Sequence, residues 1–175
     1  NPLVRRLLLN RGVDTADEAE KFLNPDYENG TYDPFLMTDM EKAVEKIYQT
    51  IKDGKRICVY SDYDCDGIPG AVIWHDFFKK INFDNFEIYI PDRHKEGYGL
   101  NKDAIKETAN NGANLLITVD LGITAVDEVL YAKEFGIETI ITDHHLPLKD
   151  GEDDILPSAF AVVNPKRVDD VYPDE

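Results

Sequence analysis

Three carboxylates stand at alternate positions in Ser61-Asp62-Tyr63-Asp64-Cys65-Asp66-Gly67, directly after an apolar run that begins at Ile57. In extended backbone, side chains two apart share a face, so the spacing predicts that Asp62, Asp64 and Asp66 converge where a strand ends. Like charges held that close resist ionising together unless a cation sits among them. An acidic surface turn is the plain alternative. Asp-x-Asp-x-Asp-Gly also opens a helix-loop-helix calcium site, but that loop needs a bidentate Glu at its twelfth position. Ile73 stands there, and a strand rather than a helix precedes the loop.

Asp143-His144-His145 is a second group able to do chemistry. Either histidine alone could be a hydrogen-bonded structural residue. Set with carboxylates, imidazole suits manganese as well as zinc, and an oxygen-rich set with one or two nitrogens favours Mn²⁺ or Mg²⁺ over a thiolate zinc site. Cys65 should point away from Asp64 and Asp66, toward packing rather than ligation. Asp120 either caps a helix starting near Thr124 or, as a strand-end carboxylate about 5 Å from a neighbouring strand, bridges two metal ions. Arg93, in the loop Pro91-Asp-Arg-His-Lys-Glu-Gly-Tyr-Gly99, can clamp a phosphate bidentately, or the loop is merely solvated. Lys166 and Arg167 after Asn164-Pro165 are candidates of the same kind.

The elements that must position these residues read as an α/β fold. Residues 1–54 are helical: Leu3, Leu7 and Leu8 share one face, Asp14 or Thr15 caps a short helix through Leu23, and Asn29-Gly30 and Asp33-Pro34 signal turns. A longer helix from about Asp39 to Ile51 follows, and this region is expected to pack on the main domain, residues 55–175. From Lys55 onward strands alternate with helices. Strands are expected near 57–61, 86–91, 115–120, 139–142 and 160–163, and helices near 70–81, 102–110 and 125–135. Near-continuous Ile, Leu and Val in the strands predict a mainly parallel five-stranded sheet covered by helices on both faces. Ligands of such sheets sit at the carboxyl ends of the strands, the edge where all the candidates fall.

With 175 residues, 42% of them hydrophobic, the chain can bury one sizeable core. No apolar run approaches the roughly 18 to 20 residues that cross a bilayer, and no signal segment opens the chain, so a soluble cytoplasmic protein is expected. Cys58 and Cys65 lie too close along the chain to staple it, which fits a reducing compartment. A net charge of −16 argues against a simple nucleic-acid-binding surface, since phosphate is gripped mainly by Lys and Arg. The opening Asn1 and the unfinished Asp169–Glu175 segment read as the ends of a fragment.

Val59-Tyr-Ser-Asp-Tyr-Asp-Cys-Asp-Gly67, Ile117-Thr-Val-Asp-Leu-Gly-Ile123 and Thr142-Asp-His-His-Leu-Pro147 resemble, in order and spacing, the first three motifs of the DHH phosphoesterase superfamily. The Pro91-Asp-Arg to Glu-Gly-Tyr-Gly-Leu100 loop, Val163-Asn-Pro-Lys166 and the N-terminal pattern are similar to the RecJ branch, bacterial single-strand-specific exonucleases that degrade DNA from the 5′ end in repair and recombination. The resemblance implies a dinuclear Mn²⁺ or Mg²⁺ centre. Asp64 and Asp66 would each face one metal, Asp120 would bridge, and His144 would complete the second. His145 would contact the scissile phosphate, and Arg93 would help hold the strand. Asp62 is a less settled ligand, because related small-substrate members use a histidine at the position of Tyr60. The family's fourth motif and the domains closing a basic channel around single-stranded DNA would lie beyond Glu175, leaving the fragment inactive or weakly active alone. Replication or repair proteins are the partners implied, and no membrane.

Two competing readings remain at this level: a DHH phosphodiesterase for cyclic dinucleotides or short oligonucleotides, and a non-catalytic DHH scaffold module. Intact Asp64, Asp66, Asp120, His144 and His145 count against the scaffold.

Overall fold

The computed structural model describes residues 1–173; the expected domain end at Glu175 and the closing Asp174-Glu175 lie outside the described residues. The chain divides into two compact units, Asn1–Asp33 and Pro34–Glu175. In the first, α1 (Pro2–Leu9) starts where the Asn1 side chain accepts the Leu3 amide at 2.9 Å. Helix α2 (Ala16–Leu23) opens on a reciprocal cap in which Thr15 accepts the Glu18 amide and Glu18 accepts the Thr15 amide. A one-turn helix, α3 (Tyr27–Gly30), takes up the Asn29-Gly30 pair read from sequence as a loop turn.

The second unit begins with a 3₁₀ turn at Pro34–Leu36 and α4 (Met40–Lys52). Alternation then sets in: β1 (Arg56–Ser61), α5 (Gly67–Lys80), β2 (Phe86–Tyr89), α6 (Lys102–Asn110), β3 (Ala113–Val119), α7 (Val126–Glu134) and β4 (Glu138–Thr142). A hairpin of β5 (Leu148–Asp150) and β6 (Asp153–Ile155) precedes β7 (Ala161–Val163). Helix α5 begins three residues earlier than expected because Pro69 falls in its first turn, where its missing N–H is no loss. The hairpin escapes the sequence reading because its residues are mostly charged rather than alternating.

The main sheet runs β2-β1-β3-β4-β7, and every pairing in it is parallel. Successive strand residues serve opposite faces. Cys58, Tyr60 and Leu116 pack with Ala104 and Ile105 of α6 and Val129 and Ala132 of α7. Ile57, Val59 and Ile117 pack on the other face with Phe78 of α5 and Ala43 of α4. The chain leaves β1 toward β2 and returns past it to β3, so the order reverses between β1 and β3. A crevice opens at such a switch point, outside the carboxyl ends of the strands. No helix among the described residues is long and apolar enough to cross a membrane.

Candidate metal centre

The site is the sheet continued by one residue. Parallel register aligns Ser61 with Val119, Val119 with Thr142, and Thr142 with Val163. One step further along each strand stand Asp62, Asp120, Asp143 and Asn164, all buried. Their backbones stay in the ladder: Asp62 N–H donates to Val119 O at 3.1 Å, Asp120 N–H to Thr142 O at 3.0 Å, and Asp143 N–H to Val163 O at 3.1 Å.

After Asp62 the backbone turns, so Asp62, Asp64 and Asp66 do not line one extended face as the spacing alone predicts. The turn tightens into α5 because residue 67 is glycine. A Cβ there would lie 2.4 Å from the Asp62 carbonyl oxygen, closer than any side chain tolerates. Asp64 Oδ1 accepts the amides of Asp66 at 3.0 Å and Gly67 at 3.1 Å, and these bonds hold its carboxyl below the usual carboxylate range. Asp62, by contrast, is pushed up by burial, with the Tyr63 amide at 2.7 Å pulling the other way. Cys65 is exposed on this turn, which corrects the expectation that it packs.

Asp120 lies at the centre. Its φ of 62° is left-handed, a region that Asp and Asn enter more readily than most residues. It does not cap α7, whose N-cap is Ala125 with no side-chain bond. Both carboxylate oxygens are buried without a hydrogen-bond donor, although His144 Nε2 lies 3.0 Å from Oδ1 out of hydrogen-bond alignment. Burial, then the bond and charge of neighbouring Asp64, raise its carboxyl to about 6.

Asp143 acts differently from the other carboxylates. Its Oδ1 accepts the amides of His144 at 2.7 Å and His145 at 3.1 Å and lies 2.7 Å from His145 Nδ1. Its Oδ2 accepts the Ile123 amide at 2.9 Å, tying the loop after β3 to the end of β4. Burial works to lower His145, but the Asp143 contact together with the charges of Asp143, Asp120 and Asp62 outweighs it and raises the imidazole. Asn164 completes the brace, donating through Nδ2 to His145 O at 2.9 Å. The orienting parts of Asp143 and Asn164 were missed from sequence, where only their place on the edge was readable.

Two donor sets emerge, each with ligand atoms within 4.8 Å of one another: Asp62, Asp64 and Asp120, and Asp120, His144 and His145. Asp120 belongs to both. Asp66 falls outside these sets, but it shares a cleft with Asp120 and His144, and its Oδ2 lies 3.9 Å from His144 Nε2. Orphaned buried carboxylate oxygens facing oxygen and imidazole donors fit divalent cations of the Mn²⁺ or Mg²⁺ kind. Of the expected strand-holding residues, Arg93 lies over the Tyr63 ring with its guanidinium carbon 4.9 Å from the centroid. Lys166 is half-buried past Pro165, its amide donating to Asn164 Oδ1 at 2.8 Å.

The sequence model of the DHH family, N-terminal domain, matches residues 56–170. The chain is 42% identical over 172 residues to the single-stranded-DNA-specific exonuclease RecJ of Bacillus subtilis, covering 98% of this chain and 21% of that protein. It is 36% identical over 172 residues to the Escherichia coli protein of the same name, covering 98% of this chain and 28% of that one. Among solved structures, exonuclease RecJ bound to manganese superposes with a TM-score of 0.70 at 32% identity, over 81% of this chain and 35% of that chain. RecJ in complex with Mn²⁺ from Thermus thermophilus superposes at 0.68 with 27% identity, over 94% of this chain and 22% of that chain. The chain thus spans 21% and 28% of the two curated relatives it is compared with here.

Proposed function

Since the chain belongs to the DHH family by the match over residues 56–170, we propose that it carries the metal centre of a single-strand-specific DNA exonuclease working in repair and recombination. The observation that carries this reading is Asp120: one buried carboxylate, both oxygens without a donor, common to two donor sets. The RecJ proteins it resembles are single-stranded-DNA-specific exonucleases, and two of their structures hold manganese.

On this reading Asp62, Asp64 and Asp120 would hold one divalent ion, and Asp120 with His144, assisted by Asp66, would hold the other. When bound, such ions would lower the pKa of a water molecule and neutralise charge on phosphoryl oxygens. The protein's own part is positional. Asp64 is pinned through Oδ1, leaving Oδ2 uncommitted by those two amides. Asp143 Oδ1, 2.7 Å from His145 Nδ1, turns the other ring nitrogen of His145 outward, where it would donate to the scissile phosphate as charge develops on oxygen. Arg93, and more remotely Lys166, hold the strand through phosphate. Most of the grip on DNA comes from regions other than this acidic chain, whose net charge is −16.

Asp120→Ala in the full-length protein is expected to remove nearly all Mn²⁺-dependent release of nucleotides from 5′-labelled single strands while circular dichroism stays unchanged. Retained hydrolysis would refute the bridging role. A phosphodiesterase for cyclic dinucleotides or very short oligonucleotides would instead lose activity as strand length grows, and a scaffold module would bind no Mn²⁺ at all.

A further inference from the structure

The loop between β2 and α6 carries Arg93 and Tyr98 to the rim of the site, and its own hydrogen bonds centre on one carboxylate. Glu96 Oε1 accepts from Tyr89 Oη at 2.5 Å and Asn101 Nδ2 at 3.2 Å, and Oε2 accepts the Asp92 amide at 2.6 Å. Asn101 Nδ2 also donates to Tyr60 Oη at 3.1 Å, and Tyr60 in turn donates to Gly99 O at 3.1 Å. Tyr60 and Tyr89 stack with centroids 5.0 Å apart, so the sheet itself supports the loop from below. Glycines with left-handed φ of 80° and 85° flank Tyr98 and lift it out, 58% exposed. The Tyr98 ring meets His145 edge-on at 6.3 Å, and its phenol is pushed up to about 12 by burial and by Asp143, Asp62, Asp120 and Asp64. Through His145, Tyr98 therefore borders the centre.

We propose that Glu96 is a positioning residue that fixes the loop so that Arg93 and Tyr98 form a wall receiving a single-stranded polynucleotide, phosphate on the guanidinium and base on the ring. This rests on the phosphodiesterase reading of the centre. An exposed aromatic and a cation on one loop, here Tyr98 against His145 and Arg93 over Tyr63, are the groups that hold unpaired bases without reading their sequence. Glu96 touches neither substrate nor metal donor; it acts through the amide of Asp92, the residue before Arg93, and through Tyr89 and Asn101 at the two feet of the loop.

The test compares Glu96→Gln and Tyr89→Phe with wild type in the full-length protein, on a single-stranded oligonucleotide and on bis(p-nitrophenyl) phosphate, both with Mn²⁺. Gln cannot accept from both sides, and Phe removes the short bond while keeping the ring stack. The oligonucleotide KM is expected to rise about tenfold in each, the equilibrium worth of one hydrogen bond to a charged group. Its kcat and the rate on the small diester should stay within about twofold. Unchanged KM, or kcat falling on both substrates, would overturn the proposal. A wild type that hydrolyses neither substrate would instead overturn the phosphodiesterase reading itself.

Discussion

Asp120 carries a cost at neutral pH that a bound cation would relieve, and that cost can be measured without any substrate. In the metal-free protein its carboxyl is raised from 3.8 to about 6 by burial and by Asp64. Below pH 3.8 the group is protonated in folded and unfolded chains alike and contributes nothing. Between 3.8 and 6 the unfolded chain ionises first, and stability falls. Above 6 the full penalty is present, about 3 kcal/mol at 1.36 kcal/mol for each pKa unit. Asp120→Asn removes the charge, and asparagine tolerates the left-handed backbone that residue 120 adopts. Its amide can also donate to Asp64. The variant is therefore expected to be more stable than wild type by about 3 kcal/mol at pH 7.5 in EDTA, and by less than about 1 kcal/mol at pH 4. Urea unfolding followed by fluorescence of Trp74, the single tryptophan, reads both values. Saturating Mn²⁺ should stabilise wild type far more than the variant. Were the variant less stable in EDTA at pH 7.5, or its gain the same at both pH values, the raised carboxyl would not be the origin of the cost.

Gly67→Ala should destabilise by about 1–3 kcal/mol in urea and weaken Mn²⁺ binding by calorimetry, because the added methyl meets the Asp62 carbonyl and displaces the amides holding Asp64. Asp154, half-buried at β6 with its side chain covered, is held below the usual carboxylate range although burial pushes it up: Lys149 Nζ lies 2.5 Å away and the Val168 amide donates at 2.7 Å. A depressed carboxyl stabilises above the unfolded value of about 3.8 and loses that contribution as pH falls through the folded one. Asp154→Asn should thus melt below wild type at pH 7, and the gap should narrow as pH falls below the unfolded value. A thiol reagent should modify Cys65 alone in the native chain and both cysteines in denaturant, since burial pushes the Cys58 thiol up to about 12.

The sheet was legible because its strands are continuous apolar runs whose burial needs no partner to be guessed. All five main strands and the helices between them fall within a few residues of the sequence reading. Strand ends were legible too, since Asp62, Asp120, Asp143 and Asn164 each stand within two residues of the last apolar one. What was hidden depends on tertiary geometry. The turn after Asp62 is dictated by contact between residue 67 and a carbonyl five residues back, which no alternation pattern encodes. The bracing by Asp143 depends on where Ile123 arrives from another loop, and the exposure of Cys65 follows from the same turn. The charged β5–β6 hairpin presents no apolar stripe to betray it.

Because the amides of Asp62, Asp120 and Asp143 are bonded across to Val119, Thr142 and Val163, the two carboxylates proposed to hold metal and the one that braces His145 share the fate of the most protected part of the molecule. Their exchange with deuterium should require global opening, whereas the amides of residues 93–99 exchange through smaller fluctuations. Heat should therefore extinguish cation binding and secondary structure together, with no intermediate in which the fold survives and the centre has melted.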